Sequence, residues 1–261
     1  MKLKYVDIHG HVNFATYDND REAVIARAQH EGVGMITVGT DMESSRQALE
    51  LARTHADMWA IIGVHPTEIS DDDGVFDLDS MRKRASDSKV VGIGECGLDY
   101  FHTELDKIPQ QKKLFEQHLD LAKEIGKPVM LHIRNGKGVS AYKESFEILK
   151  ASGISAANLH FFAGNIDEAR SFLNLGCTFS FTGVLTFTRD YDEVVKYIPL
   201  NRMMAETDCP FVTPAPYRGK RNEPSYVIEV VKAIAKIRNE DEEVVREQIL
   251  QNSNKLFGLE N

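Results

Sequence analysis

The sequence predicts an α/β chain closed into a single (β/α)8 TIM barrel, and three observations predict it. Eight short apolar segments alternate with longer amphipathic ones, at about the spacing of one strand-plus-helix unit. The 261 residues match the usual size of one such barrel. Histidines and carboxylates recur where the apolar segments end, and in a barrel those ends share one face.

The strands are expected at Tyr5 to His9, Met35 to Gly39, Trp59 to Gly63, Val90 to Gly94, Val129 to His132, Asn158 to His160, Thr178 to Phe181 and Met203 to Glu206. Each is short, apolar and β-prone. Helices are expected near Asp20 to Glu31, Met42 to His55, Leu78 to Ser88, Pro109 to Ile125, Val139 to Ala151, Asp167 to Leu175, Asp190 to Tyr197, Ser225 to Arg238 and Asp241 to Gln251. Strand–helix alternation implies a parallel sheet with crossover helices, and eight units favour closure over an open doubly wound sheet. No linker or low-complexity tract divides the chain, so a single domain over residues 1–261 is expected. The segment from Pro210 to Pro224 holds four of the eight prolines and reads as a long loop after the last strand.

Composition narrows the function classes. No apolar run reaches the length of a membrane span, and the residues after Lys2 and Lys4 do not form a signal peptide. Cys96, Cys177 and Cys209 are odd in number and include no C-x-x-C pair. They suit a reducing compartment, so a cytoplasmic protein without membrane contact or an obligate protein partner is expected. The net charge of −9 argues against broad nonspecific binding to a polyanion. It leaves room for nucleic acid in a small site where metal ions supply the positive charge.

The chemistry gathers at the strand ends. The first strand ends in D-I-H-G-H, and residues two apart on a strand share a face, so His9 and His11 can share one ion. Glu95 closes the fourth strand, where a carboxylate can bridge two cations; Leu98 to Phe101 then read as loop. The G-I-G-E-C-G around Glu95 matches a dinucleotide fingerprint in form only. No helix starts after it, and Glu95 would repel a pyrophosphate. His132 ends P-V-M-L-H, His160 ends N-L-H, and M-A-E-T-D-C-P places Asp208 at the last strand's end, with Glu206 two residues earlier. Taken singly, a histidine at a strand end is more often hydrogen-bonded than ligating. Four histidines and two carboxylates on five strand ends are costly to bury without a metal.

The other histidines divide. His65, in G-V-H-P, is expected to touch substrate or support a ligand. His30, His55 and His118 read as solvated or packing residues, and His102 is left unassigned. Cys96 and Cys209 should face the helix layer as small buried residues.

The motifs D-I-H-G-H, G-V-H-P, G-E-C-G-L-D-Y, L-H-I-R, L-H-F-F-A-G, E-T-D-C-P and N-S-N-K-L-F, in this order, resemble the TatD-type metal-dependent deoxyribonuclease family almost end to end. The resemblance implies metal ligation by His9, His11, Glu95, His132, His160 and Asp208. It also implies divalent-metal-dependent cleavage of DNA, often 3′-to-5′ from single-stranded ends. The sequence departs from the family's pattern at Gly10 and at Phe161-Phe162, and neither change touches a ligand position.

Two ions bridged by Glu95 would activate a water for in-line attack on phosphorus, with Asp208 as proton acceptor. One ion is assigned to His9, His11 and Asp208, the other to His132 and His160. Imidazole-rich ligation suits Zn or Mn, with Mg as the alternative in the cell. Asp99, Arg134, Glu206, Lys220 and Arg221 are expected to contact substrate or orient ligands. Arg218, Lys220 and Arg221 form a basic patch that reads equally well as solvated loop charges. The same metal pair would also serve an amide or ester hydrolase, including an aminoacyl-tRNA deacylase. A non-catalytic metal scaffold fits less well, because binding alone needs no bridging carboxylate.

Overall fold

The computed structural model describes residues 3–69, 76–136 and 138–259. Eight strands pair in chain order: β1 (Tyr5–Gly10), β2 (Val33–Val38), β3 (Met58–Ile62), β4 (Val90–Asp99), β5 (Val129–Arg134), β6 (Ala157–Leu159), β7 (Thr178–Phe181) and β8 (Met203–Ala205). Every pairing is parallel. The ends of the sheet meet just beyond β8. There Asp208 N–H donates to the His9 carbonyl at 2.8 Å and His11 N–H to the Cys209 carbonyl at 2.7 Å. The expected TIM barrel is therefore the observed one.

Helices α1 (Arg21–His30), α2 (Met42–Thr54), α3 (Leu78–Ala85), α4 (Ile108–Ile125), α5 (Ala141–Ser152), α6 (Ile166–Asn174), α7 (Asp192–Tyr197), α8 (Val227–Arg238) and α9 (Glu242–Phe257) surround the strands. Local chemistry starts several of them. Asp41 accepts from Glu43 N–H and Ser44 N–H ahead of α2, Asn165 does the same for α6, and Asp241 for α9. Among the described residues, no helix is long and apolar enough to cross a membrane.

Two apolar clusters share the interior. The larger lies between sheet and helices and includes Cys96, Cys177 and Cys209, all free thiols. The smaller draws Val6, Ile8, Ile36, Val38, Trp59, Ile61, Val91, Met130 and Met204 from strands, with Leu3 ahead of β1 and residues of α9 and just after it packing against them. It fills the barrel below the mouth.

Two irregularities position the centre. Val6 and Ile8 face the barrel interior, so strict alternation would turn His9 away; the register with β2 slips between Asp7 and Gly10. The second corrects the expectation that Leu98 to Phe101 form a loop. β4 runs on to Asp99, pairing Gly97 with His132, Leu98 with Ile133 and Asp99 with Arg134. Gly97 permits this close approach: its φ is +138°, and a Cβ there would lie 2.1 Å from the His132 carbonyl oxygen.

Candidate metal centre

His9, His11, Glu95, His132, His160 and Asp208 converge at one mouth of the barrel. Glu95, 4% exposed, stands in the middle. Its Oε2 lies 3.3 Å from His9 Nε2 and 4.0 Å from His11 Nε2. Its Oε1 lies 2.9 Å from both His132 Nδ1 and His160 Nε2. Asp208 Oδ1 completes the first side, 3.8 Å from His9 Nε2 and 3.5 Å from His11 Nε2. Asp208 adopts a left-handed backbone with φ 53°, a strained state for a non-glycine residue, and it does so where the barrel closes.

Hydrogen bonds on the far side of three of the rings, those of His160, His132 and His11, orient them toward the centre, whereas Nδ1 of His9 is buried without a partner. His160 Nδ1 donates to Glu206 Oε1 at 3.1 Å, and His132 Nε2 donates to Asp99 Oδ2 at 3.0 Å. His11 Nδ1 donates to the Val38 carbonyl at 2.9 Å. In their neutral form, rings held this way turn lone pairs inward, those of His132 and His160 onto the same carboxylate oxygen. Two acceptors 2.9 Å apart repel unless a cation lies between them. His9 and His11 likewise bring their Nε2 atoms to 3.3 Å. Lone pairs converging on a shared carboxylate are the donor chemistry of a divalent-metal site.

The electrostatics agree. Burial alone would raise the Glu95 carboxyl, but the surrounding imidazoles, His160 first and then His9, His65 and His132, hold it well below the usual carboxylate range. Burial disfavours a charged His160, yet Glu95 and Glu206 push it well above an ordinary imidazole. The centre thus favours a positive charge at the position between these groups.

The family model of TatD related DNase matches residues 6–258. The chain belongs to the TatD family. It is accordingly a metal-dependent hydrolase. It is 38% identical over 260 residues to the uncharacterized metal-dependent hydrolase YabD of Bacillus subtilis, covering 97% of this chain and 98% of that one. It is 34% identical to the 3′-5′ ssDNA/RNA exonuclease TatD of Pantoea ananatis, covering 97% and 99% of the two chains. Among solved structures, the TatD homolog YJJV of Escherichia coli K12 superposes with a TM-score of 0.89 at 28% identity, covering 99% of each chain.

Around this TatD-family centre the remaining candidates separate. Asp99 and Glu206 are fully buried and hold His132 and His160 as described. Ser180 Oγ donates to Glu206 Oε2 at 2.6 Å and Phe161 N–H to Oε1 at 2.7 Å, so that carboxylate is itself fixed. His65 accepts at Nδ1 from Thr67 N–H at 3.2 Å, which leaves the ring proton on Nε2, 3.5 Å from Glu95 Oε1. Burial and the charge of His132 lower its pKa to about 3, so the ring is neutral and presents a donor to the centre.

The basic residues lie further out. Arg134 covers the Phe101 ring, its guanidinium carbon 4.5 Å from the ring centroid. Arg221 is engaged inside the fold: it pairs with Asp20 at 2.6 Å, donates to the Thr16 carbonyl at 2.6 Å and covers Tyr17. Arg218 donates to the Thr213 carbonyl at 2.7 Å, whereas Lys220 places its ammonium 5.9 Å from the Tyr217 ring centroid. The patch expected from sequence is therefore divided, with Arg221 tying the loop after β8 to the segment after β1.

Sequence reasoning passed over three supporting groups. Asp7, fully buried, accepts from Thr207 N–H at 2.8 Å and Thr207 Oγ1 at 2.5 Å and so joins β1 to the residues after β8. His102 bonds through Nδ1 to Asp99 Oδ2 at 2.9 Å. His118 accepts the Val64 N–H at Nε2, 2.9 Å away, next to His65. Asp7 carried a signal, a buried-type carboxylate two residues before His9; the other two carried none.

Proposed function

We propose that this protein hydrolyses phosphodiester bonds of single-stranded DNA from the 3′ end, using two divalent ions. His9, His11 and Asp208 would hold one ion and His132 with His160 the other, with Glu95 shared between them. One observation carries the reading: the two oxygens of Glu95 face two different histidine groups. The name of the Pantoea relative as an ssDNA/RNA exonuclease supports the substrate class.

Bound there, divalent ions supply charge neutralisation at the phosphoryl oxygens and acidify the attacking water; imidazole-rich donors favour Zn or Mn. Asp208 is placed to accept that water's proton. His65 directs its Nε2–H to a phosphoryl oxygen, Arg134 offers a second donor to the phosphate, and Asp99 and Glu206 keep the rings of His132 and His160 in position.

The test is Glu95→Ala. The variant should lose occupancy of both metal positions and all turnover on end-labelled single-stranded DNA. Metal counting on the purified variant decides it. Two equivalents of bound metal in Glu95→Ala would remove the bridging role.

A further inference from the structure

Three phenylalanines stand out from this structure. Among the described residues, Phe101, Phe187 and Phe211 are 55%, 45% and 53% exposed. They follow β4, β7 and β8, and so lie on the face that carries the metal centre. The other large exposed apolar side chains, Leu78, Tyr197 and Val244, belong to helices of the outer layer. A single exposed ring is ordinary, but three on the loops of one mouth form a pattern.

Two of the rings are anchored to the centre itself. Phe211 N–H donates to the Asp208 carbonyl at 2.9 Å, and its ring centroid is 6.4 Å from that of His11. Phe101 N–H donates to Asp99 Oδ1 at 2.9 Å, and Asp99 holds His132. One ring thus stands on the His11 side of Glu95 and the other on the His132 side. Guanidinium groups accompany two of the rings: Arg134 lies 4.5 Å from the Phe101 centroid and Arg218 3.9 Å from that of Phe187. Phe101 stays more than half exposed beneath its arginine.

A ring beside a guanidinium matches a flat base joined to a phosphate. Stacking tolerates any base, because every base has a π face. In a duplex those faces are already covered by neighbouring bases. On a protein of net charge −9, local contacts of this kind replace the long-range attraction a basic surface would supply.

We infer that Phe211 and Phe101, the latter with Arg134, are stacking platforms for unpaired bases on either side of the metal centre, so that the enzyme selects single strands by base stacking. The inference rests on the phosphodiester reading above.

The test uses the metal-loaded protein and a single-stranded oligonucleotide with 2-aminopurine in its last two nucleotides and phosphorothioate linkages that prevent cleavage. Stacking quenches 2-aminopurine, so binding and stacking are read without turnover. Phe211→Leu and Phe101→Leu keep apolar bulk and lose the π face. Each should bind about tenfold more weakly, with reduced quenching, while Phe211→Trp and Phe101→Trp restore both. Wild-type protein should bind an end without bases about tenfold more weakly than a natural one, and a blunt duplex should show no quenching. Wild-type affinity and quenching in the Leu variants overturn the inference, as does equal binding of ends with and without bases. If those results accompany normal cleavage of single strands, the nuclease reading stands without the platforms. If stacking is seen but no metal supports cleavage, the platforms stand and the nuclease reading falls.

Discussion

His160 donates its Nδ1 proton to Glu206 Oε1 at 3.1 Å, and that bond turns its Nε2 toward Glu95 Oε1, 2.9 Å away. Glu206 in turn accepts from Ser180 and Phe161, so the orientation is fixed from β7 and β8 as well as β6. A residue behind the ring thereby controls one of the proposed ligands. Removing it in Glu206→Ala should weaken metal binding about 10- to 100-fold. Glu206→Gln keeps an acceptor oxygen and should fall between the two. Competition with a chromogenic chelator measures this; wild-type affinity in Glu206→Ala would show that the far-side bond is dispensable.

His65 presents a donor rather than a lone pair, so it should behave unlike the histidines proposed as ligands. His65→Ala is expected to retain its metal. Its kcat should fall by about 100- to 1000-fold, the size of effect expected when one donor to a developing charge is lost. Metal analysis beside steady-state kinetics separates the cases: lost metal would make His65 a ligand, and unchanged kcat would remove it from the chemistry.

The loop after β8 gives a divided expectation. Arg221 is engaged with Asp20 and Thr16, so Arg221→Ala should act on the loop's anchorage. Because the Asp20 pair is partly exposed and screened by solvent, its direct contribution to stability should be small. Lys220 is the more available charge for a phosphate. Lys220→Ala should raise KM for DNA and lower the slope of log KM against log salt by about one, with kcat little affected. An unaltered salt slope would make Lys220 a solvated charge.

His118 gives a pH prediction away from the ligands. It donates Nδ1–H to the Leu114 carbonyl at 2.7 Å and accepts Val64 N–H at Nε2, so both nitrogens are committed in the neutral ring. Burial, only partly offset by the bond to Leu114, lowers its pKa to about 4. The folded state therefore binds its proton less readily than the unfolded state, whose histidine titrates near 6.5. Stability from this group is fully present above pH 6.5 and is lost as pH falls toward 4, by about 3 kcal/mol at most. In metal-free protein, urea unfolding of His118→Gln should show a flatter profile across that window than wild type. Parallel profiles would assign the acid sensitivity to other groups.

The barrel and its six converging residues were legible because both rest on short-range pattern. The alternation of segments reports local propensity and burial. A histidine or acid at a strand's end must reach the same mouth once the strands run parallel. The family resemblance rests on those same motifs. What the chain could not display in one dimension were contacts made by folding. Asp7 meets Thr207, Arg221 meets Asp20 and Tyr17 donates to the Asn222 carbonyl, each across about two hundred residues, because closing the barrel brings β1 against the segment after β8. The continuation of β4 to Asp99 was hidden as well, since it depends on how closely Gly97 approaches β5. Sequence by itself determined which residue types stand at the mouth. Only the tertiary structure decided which nitrogen of His11, His132 and His160 turns inward, because that choice belongs to hydrogen-bond partners on or just beyond other strands.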